Sequence, residues 1–137
     1  MTELYIDGGC SGNNQPDMTK RRMIAAVTDS EGQILMEDQI LGRGSNNIAE
    51  LWAVMLALTW CVRCDVRMVR IYTDSRNNLS WVFGRKVGQS INDRETVLKL
   101  KAQINDLRCE GGIVLELFWV PREQNLAGHY IEAKYHL

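Results

Sequence analysis

The spacing of apolar residues between positions 48 and 60 constrains this chain most. Ile48, Leu51, Trp52, Met55, Leu56, Thr59 and Trp60 recur at intervals of three and four, which places one broad apolar stripe on an α-helix. The segments before it follow a different rule. Leu4-Tyr5-Ile6 is a short apolar run that breaks at Asp7-Gly8-Gly9, and Met23 to Thr28 reads as a strand. Gln33 to Leu41 alternates as a returning strand after a turn at Asp29-Ser30-Glu31-Gly32, where Gly32 can take a positive φ. A helix with one apolar stripe needs a layer to pack on, and these three runs supply it as an antiparallel meander.

Downstream, strands and helices alternate. Val66 to Tyr72 predicts a fourth strand, and Arg76 to Phe83 a short helix, followed by a loop from Gly84 to Ser90. Asn92 and Glu95 have capping-box spacing and open a helix to about Leu107, ahead of Gly111-Gly112. Asn47 and Glu50 have the same spacing at the start of the first long helix. Ile113 to Val120 alternates as a fifth strand that Pro121 stops, and a last helix can follow Asn125. The order β-β-β-α-β-α-α-β-α predicts an α/β domain with a mixed sheet. Right-handed crossovers make the fourth and fifth strands parallel to the first.

With 137 residues, 45% of them hydrophobic and 24% charged, the chain suits one domain over 1–137 that buries its own core. A formal charge of −1 excludes a binder that is basic over its whole surface, though not one with a local basic face. The densest basic run is Lys20-Arg21-Arg22. No apolar stretch approaches membrane-spanning length, and Met1-Thr2-Glu3 does not begin a signal peptide, so a cytoplasmic location is expected. Four cysteines (Cys10, Cys61, Cys64 and Cys109) make no disulfide framework. Cys61 and Cys64 form a C-x-x-C at the end of a helical pattern, with no second such pair to complete a metal site, and read as reduced thiols.

Two acidic residues stand at strand ends. Asp7 follows the first apolar run, and Asp74 follows Val69-Arg70-Ile71-Tyr72-Thr73. Ligands of open α/β sheets bind beyond the carboxyl ends of the strands, so parallel neighbours bring these two carboxylates together. Glu50 lies in the first turn of the helix between them. Three hard oxygen donors in one place suit Mg²⁺ or Mn²⁺. Taken singly, each has a plainer role: Asp7 in a turn, Glu50 closing the capping box, Asp74 as a helix cap.

Four blocks decide between these roles. Tyr5-Ile6-Asp7-Gly8-Gly9-Cys10-Ser11-Gly12-Asn13 resembles the opening signature of the type-1 ribonuclease H family. Ser45-Asn46-Asn47-Ile48-Ala49-Glu50-Leu51 is similar to its first-helix segment, and Ile71-Tyr72-Thr73-Asp74-Ser75 to its second acidic strand end. Trp119-Val120-Pro121-Arg122-Glu123-Gln124-Asn125 resembles the strand and loop before its last helix. The resemblance implies a five-stranded mixed sheet flanked by helices, and an endoribonuclease; a monomer is expected. Two ions, Mg²⁺ or Mn²⁺, would be held by Asp7, Glu50 and Asp74, and the enzyme would cut the RNA strand of an RNA–DNA hybrid. It further implies that Gly8, Cys10, Asn13, Asn46 and Asn47 face the hybrid, where amides can sense a 2′-hydroxyl. Ser75, Arg76, Arg122 and Asn125 are expected as additional substrate contacts.

The chain also departs from the family pattern. The family's fourth acidic position, at the start of the last helix, is His129 here, and Gly128 stands where an alanine is usual. His129 is expected to act as a metal ligand or proton carrier, with Glu132 one turn on as an alternative. The family's loop histidine is also missing. Arg122 stands in that loop and stays protonated, so it suits a phosphate rather than general-base work. The family's basic extension is shortened to Phe83-Gly84-Arg85-Lys86-Val87-Gly88. A hybrid-binding module without cleavage, and a nuclease or strand-transfer enzyme of other specificity on the same fold, remain open readings.

Overall fold

In a computed structural model, residues 1–11, 21–41, 45–83 and 94–136 are described. Asn13, Lys20, Arg85, Lys86 and Asn92 lie outside these residues. The elements in chain order are β1 (Thr2–Ser11), β2 (Arg22–Asp29), β3 (Ile34–Leu41), α1 (Asn46–Arg63) and β4 (Met68–Thr73). They are followed by α2 (Arg76–Val82), α3 (Arg94–Gly111), β5 (Val114–Trp119), a 3₁₀ turn at Arg122–Gln124 and α4 (Leu126–Tyr135).

The sheet order is β3-β2-β1-β4-β5. β1 pairs antiparallel with β2, and β2 with β3; β4 runs parallel to β1, and β5 parallel to β4. The hairpin turn between β2 and β3 is closed by Asp29, whose side chain accepts from the Glu31 and Gln33 amides, with Gly32 at φ 82°. This is the mixed sheet, three antiparallel strands and then two parallel, that the sequence predicts.

Strand alternation divides the sheet into two faces. Leu4, Ile6, Met23, Ala25, Val27, Val69, Ile71, Leu115 and Leu117 join the core with α1 and the buried face of α3 (Val97, Leu100, Ile104). On the opposite face Ile24 and Ala26 pack against Ile131 of α4. Beyond α4 on that face, Tyr5 stacks on Tyr72 with centroids 4.9 Å apart, and Phe118 follows Tyr72 at 6.2 Å.

Two helix boundaries differ from the sequence reading. α1 starts from Ser45, whose Oγ accepts from the Ile48 amide, so Asn47 lies inside the helix and closes no capping box with Glu50. α3 extends past Leu107 to Gly111, and Gly112 at φ 57° ends it. The expected reduced thiols are there: Cys61 is buried in the core, and Cys64 is the exposed C-cap of α1. Among the described residues no helix is long and apolar enough to cross a membrane.

Candidate functional site

The parallel pairing of β1 with β4 brings Asp7 and Asp74 side by side. Asp7 lies on β1 opposite Ala26, on the face that α4 covers, and Asp74 directly follows β4. Glu50 reaches them from the first turns of α1, because that helix sits directly on β1. A Cβ at Gly8 would overlap the Ala49 carbonyl and the Glu50 amide. The role of Gly8 is therefore this close approach, beneath the helix. Asp7, Glu50 and Asp74 each offer a carboxylate oxygen, and the three oxygens lie within 4.8 Å of one another. They line one cavity with Gly8, Gly9, Cys10, Asn46, Arg122, Gly128 and Ile131.

Crowded, half-buried carboxylates resist ionisation. Burial first, and the charge of Asp74 second, push Asp7 up to about 7. Burial, followed by the charges of Asp7 and Asp74, holds Glu50 well above the ordinary carboxylate range. The Arg122 guanidinium partly opposes the rise in both. One oxygen of Glu50, Oε2, is buried without a hydrogen-bond partner. A buried carboxylate oxygen without a donor is costly on its own and is suited to a cation.

Surrounding amides hold this arrangement. Asn125 caps α4, its Oδ1 accepting from the Ala127 and Gly128 amides. Its Nδ2 donates to the Ile6 carbonyl at 2.9 Å and to Asp74 Oδ2 at 3.1 Å. Asn125 is fully buried, so it aligns Asp74 and does not reach a substrate as the sequence reading expects. Asn78, which the sequence does not single out, is fully buried and donates to the Glu50 carbonyl at 3.0 Å. No motif marks it, since its bond to Glu50 reaches across 28 residues of sequence.

The rim residues are more accessible. Asn46 accepts from the Cys10 amide at 2.8 Å, and Asn47 accepts from Asn77 Nδ2 at 3.1 Å. Both asparagines are exposed. Cys10 is 8% exposed. Ser75 caps α2 through a bond from the Asn78 amide. Arg76, exposed beside it, lies over the Trp119 ring at 4.3 Å, while Trp119 Nε1 donates to the Asp74 carbonyl.

His129 is not one of the residues that line the carboxylate cavity. It is exposed and lines a shallow depression with Arg122, Glu123, Gly128 and Glu132. The α4 residue that faces the cluster is Gly128, where a Cβ would lie 3.3 Å from Asp7 Oδ2. Position 129 is turned about 100° further round the helix. Among the described residues the close ligand set is Asp7, Glu50 and Asp74, without His129 or Glu132.

Residues 1–127 match the RNase H family. No curated protein sequence matches the chain. Among solved structures, the RNase H1 of the halophilic archaeon Halobacterium salinarum NRC-1 is similar with a TM-score of 0.70 at 20% identity, covering 99% of this chain and 98% of that one. The N-terminal RNase H domain of a Mycobacterium tuberculosis protein is similar with a TM-score of 0.66 at 24% identity, covering 97% and 90%. LC11-RNase H1, solved in complex with an RNA/DNA hybrid, is similar with a TM-score of 0.65 at 24% identity, covering 91% and 88%. A match over nearly the whole length, with the same fold and an acidic cluster where β1, the end of β4 and the start of α1 converge, leads to one conclusion: this chain belongs to the RNase H family.

Proposed function

We propose that this protein is a metal-dependent ribonuclease H that hydrolyses the RNA strand of RNA–DNA hybrids. The observation that carries this reading is the convergence of Asp7, Glu50 and Asp74 in one cavity with a Glu50 oxygen left unpartnered. The donor set fits a hard divalent cation, because three carboxylate oxygens within 4.8 Å of one another repel without positive charge between them. Asp7, Glu50 and Asp74 would hold two ions, Mg²⁺ or Mn²⁺, which when bound supply an activated water and charge stabilisation for the leaving 3′ oxygen.

The chain's own residues do the rest. Arg122, at the cavity wall and permanently charged, orients a phosphate. The Oδ1 atoms of Asn46 and Asn47 are tied to Cys10 and Asn77, which sets their NH₂ groups as donors for a ribose 2′-hydroxyl. Cys10, Ser75 and Arg76, with Asn13, complete the contact surface for the hybrid, with the Arg76 guanidinium held on the Trp119 face. The hybrid seen with LC11-RNase H1 supports the same class of partner. The position of His129 outside the cluster favours one second reading, a module that binds hybrid without cutting it.

A labelled RNA–DNA hybrid, incubated with the protein in Mg²⁺ or Mn²⁺ beside duplex DNA and RNA alone, separates the readings. Cleavage of the hybrid alone, with 5′-phosphate and 3′-hydroxyl ends, is the expected result. Binding without cleavage in either ion would leave the second reading.

A further inference from the structure

Asn78 holds a polar side chain where an apolar one would be the ordinary choice. It is fully buried, and Trp81 and Val82 of the same short helix are buried with it. Its Nδ2 donates to the Glu50 carbonyl at 3.0 Å and to Thr73 Oγ1 at 3.3 Å. Its Oδ1 is buried without a partner. Neither acceptor depends on it. Thr73 Oγ1 also accepts from the Ser75 amide, and the Glu50 carbonyl, inside α1, has the helical amide four residues on. An amide that leaves one oxygen unsatisfied and rescues no orphaned group lowers stability relative to an apolar side chain of similar size.

What the amide does provide is a link between two ligand-bearing segments. One bond ends on the backbone of Glu50 itself, and the other on the residue immediately before Asp74. A second clasp, Asn77 to Asn47, joins the same two helices nearer the surface. We propose that Asn78 is a positioning residue that fixes the separation of the Glu50 and Asp74 carboxylates, retained for the metal centre at the expense of stability. The inference rests on the proposed function only for its metal readout.

The test uses Asn78→Leu, with Asn78→Val as a second variant of different shape. Three quantities are measured without nucleic acid: Tm, Mn²⁺ affinity by calorimetry, and the Glu50–Asp74 separation in crystal structures of the metal-free protein. Tm equal to or above the parent's is expected, together with a changed separation and Mn²⁺ affinity weakened about tenfold or more. On hybrid, kcat falls while KM holds. A role in folding alone predicts the reverse pattern, a lower Tm with parental affinity, and that result overturns the proposal. An unchanged separation also overturns it. If the parent binds no Mn²⁺ at all, the metal-dependent reading fails, and the separation still decides the role of Asn78.

Discussion

Asp7 shows how one side chain can trade stability for chemistry. Its carboxyl is pushed up to about 7 by burial and by the charge of Asp74. The folded state therefore holds this proton more tightly than the unfolded chain does. Its stabilising contribution is complete below the ordinary value of 3.8 and is lost as pH rises through about 7. Without divalent ions, Asp7→Asn should match the parent in stability near pH 4 and exceed it by roughly 2–4 kcal/mol at pH 8. Urea unfolding at both pH values checks this, and added Mg²⁺ should stabilise the parent but not the variant. Asn125→Ala should act in the opposite sense. It strips a donor from Asp74 and the cap from α4, so a loss of about 2–4 kcal/mol is expected by the same measurement, together with lower activity. Asp74 and Glu50 were legible because they sit just past a strand and near a helix start, where position follows from pattern. Asp7 was legible by its motif, but it lies mid-strand, since β1 does not break at Asp7-Gly8-Gly9 and runs on to Ser11 in register with β2. The burial of Asn125 and the existence of Asn78 as a site residue were not legible, because their bonds to Asp74 and to the Glu50 carbonyl span 51 and 28 residues of sequence. Helix phase decides which α4 residue touches the cluster: with Asn125 as cap, the residue next to Asp7 is Gly128, and the exposed His129 follows it.

At the scale of elements, the start of α1 decides whether Glu50 is a cap or a ligand. Had Asn47 been the N-cap, Glu50 would fold back on it in a capping box. Ser45 takes that role, Asn46 and Asn47 bond elsewhere, and Glu50 is left to face the cavity. The sequence pattern located the helix but not the cap, since Ser45, Asn46 and Asn47 are all good capping residues and tertiary bonds choose among them. Ser45→Ala should therefore cost about 1 kcal/mol, and Asn47→Ala clearly less, in thermal unfolding. The other determinant is the seat of α1 on β1. Gly8→Ala would force the helix away from the strand and carry Glu50 with it, with an expected loss of about 2 kcal/mol or more and of hybrid cleavage. Wild-type Tm in that variant would contradict the packing described here.

For the whole molecule, the topology performs the assembly. A meander, one crossover through α1 and a second through α2 and α3 put β4 and then β5 parallel to β1, so the end of β4 meets the middle of β1 under the first turns of α1. This much followed from the order of periodic segments alone, because strand alternation and right-handed crossover leave few arrangements. α4 then closes the cavity from the other face with Gly128 and Ile131, and His129 lines the adjoining depression that shares Arg122 and Gly128 with it. His129→Ala should accordingly keep parental cleavage in both Mg²⁺ and Mn²⁺, as read from the labelled RNA strand. The central claim is that Asp7, Glu50 and Asp74 together form the metal centre for hybrid hydrolysis. The most direct test is cleavage of a labelled hybrid by the parent and by Asp7→Asn, Glu50→Gln and Asp74→Asn, each first shown to be folded. Metal-dependent cleavage by the parent and none by any of the three is the predicted result; parental cleavage by any one folded variant would contradict it.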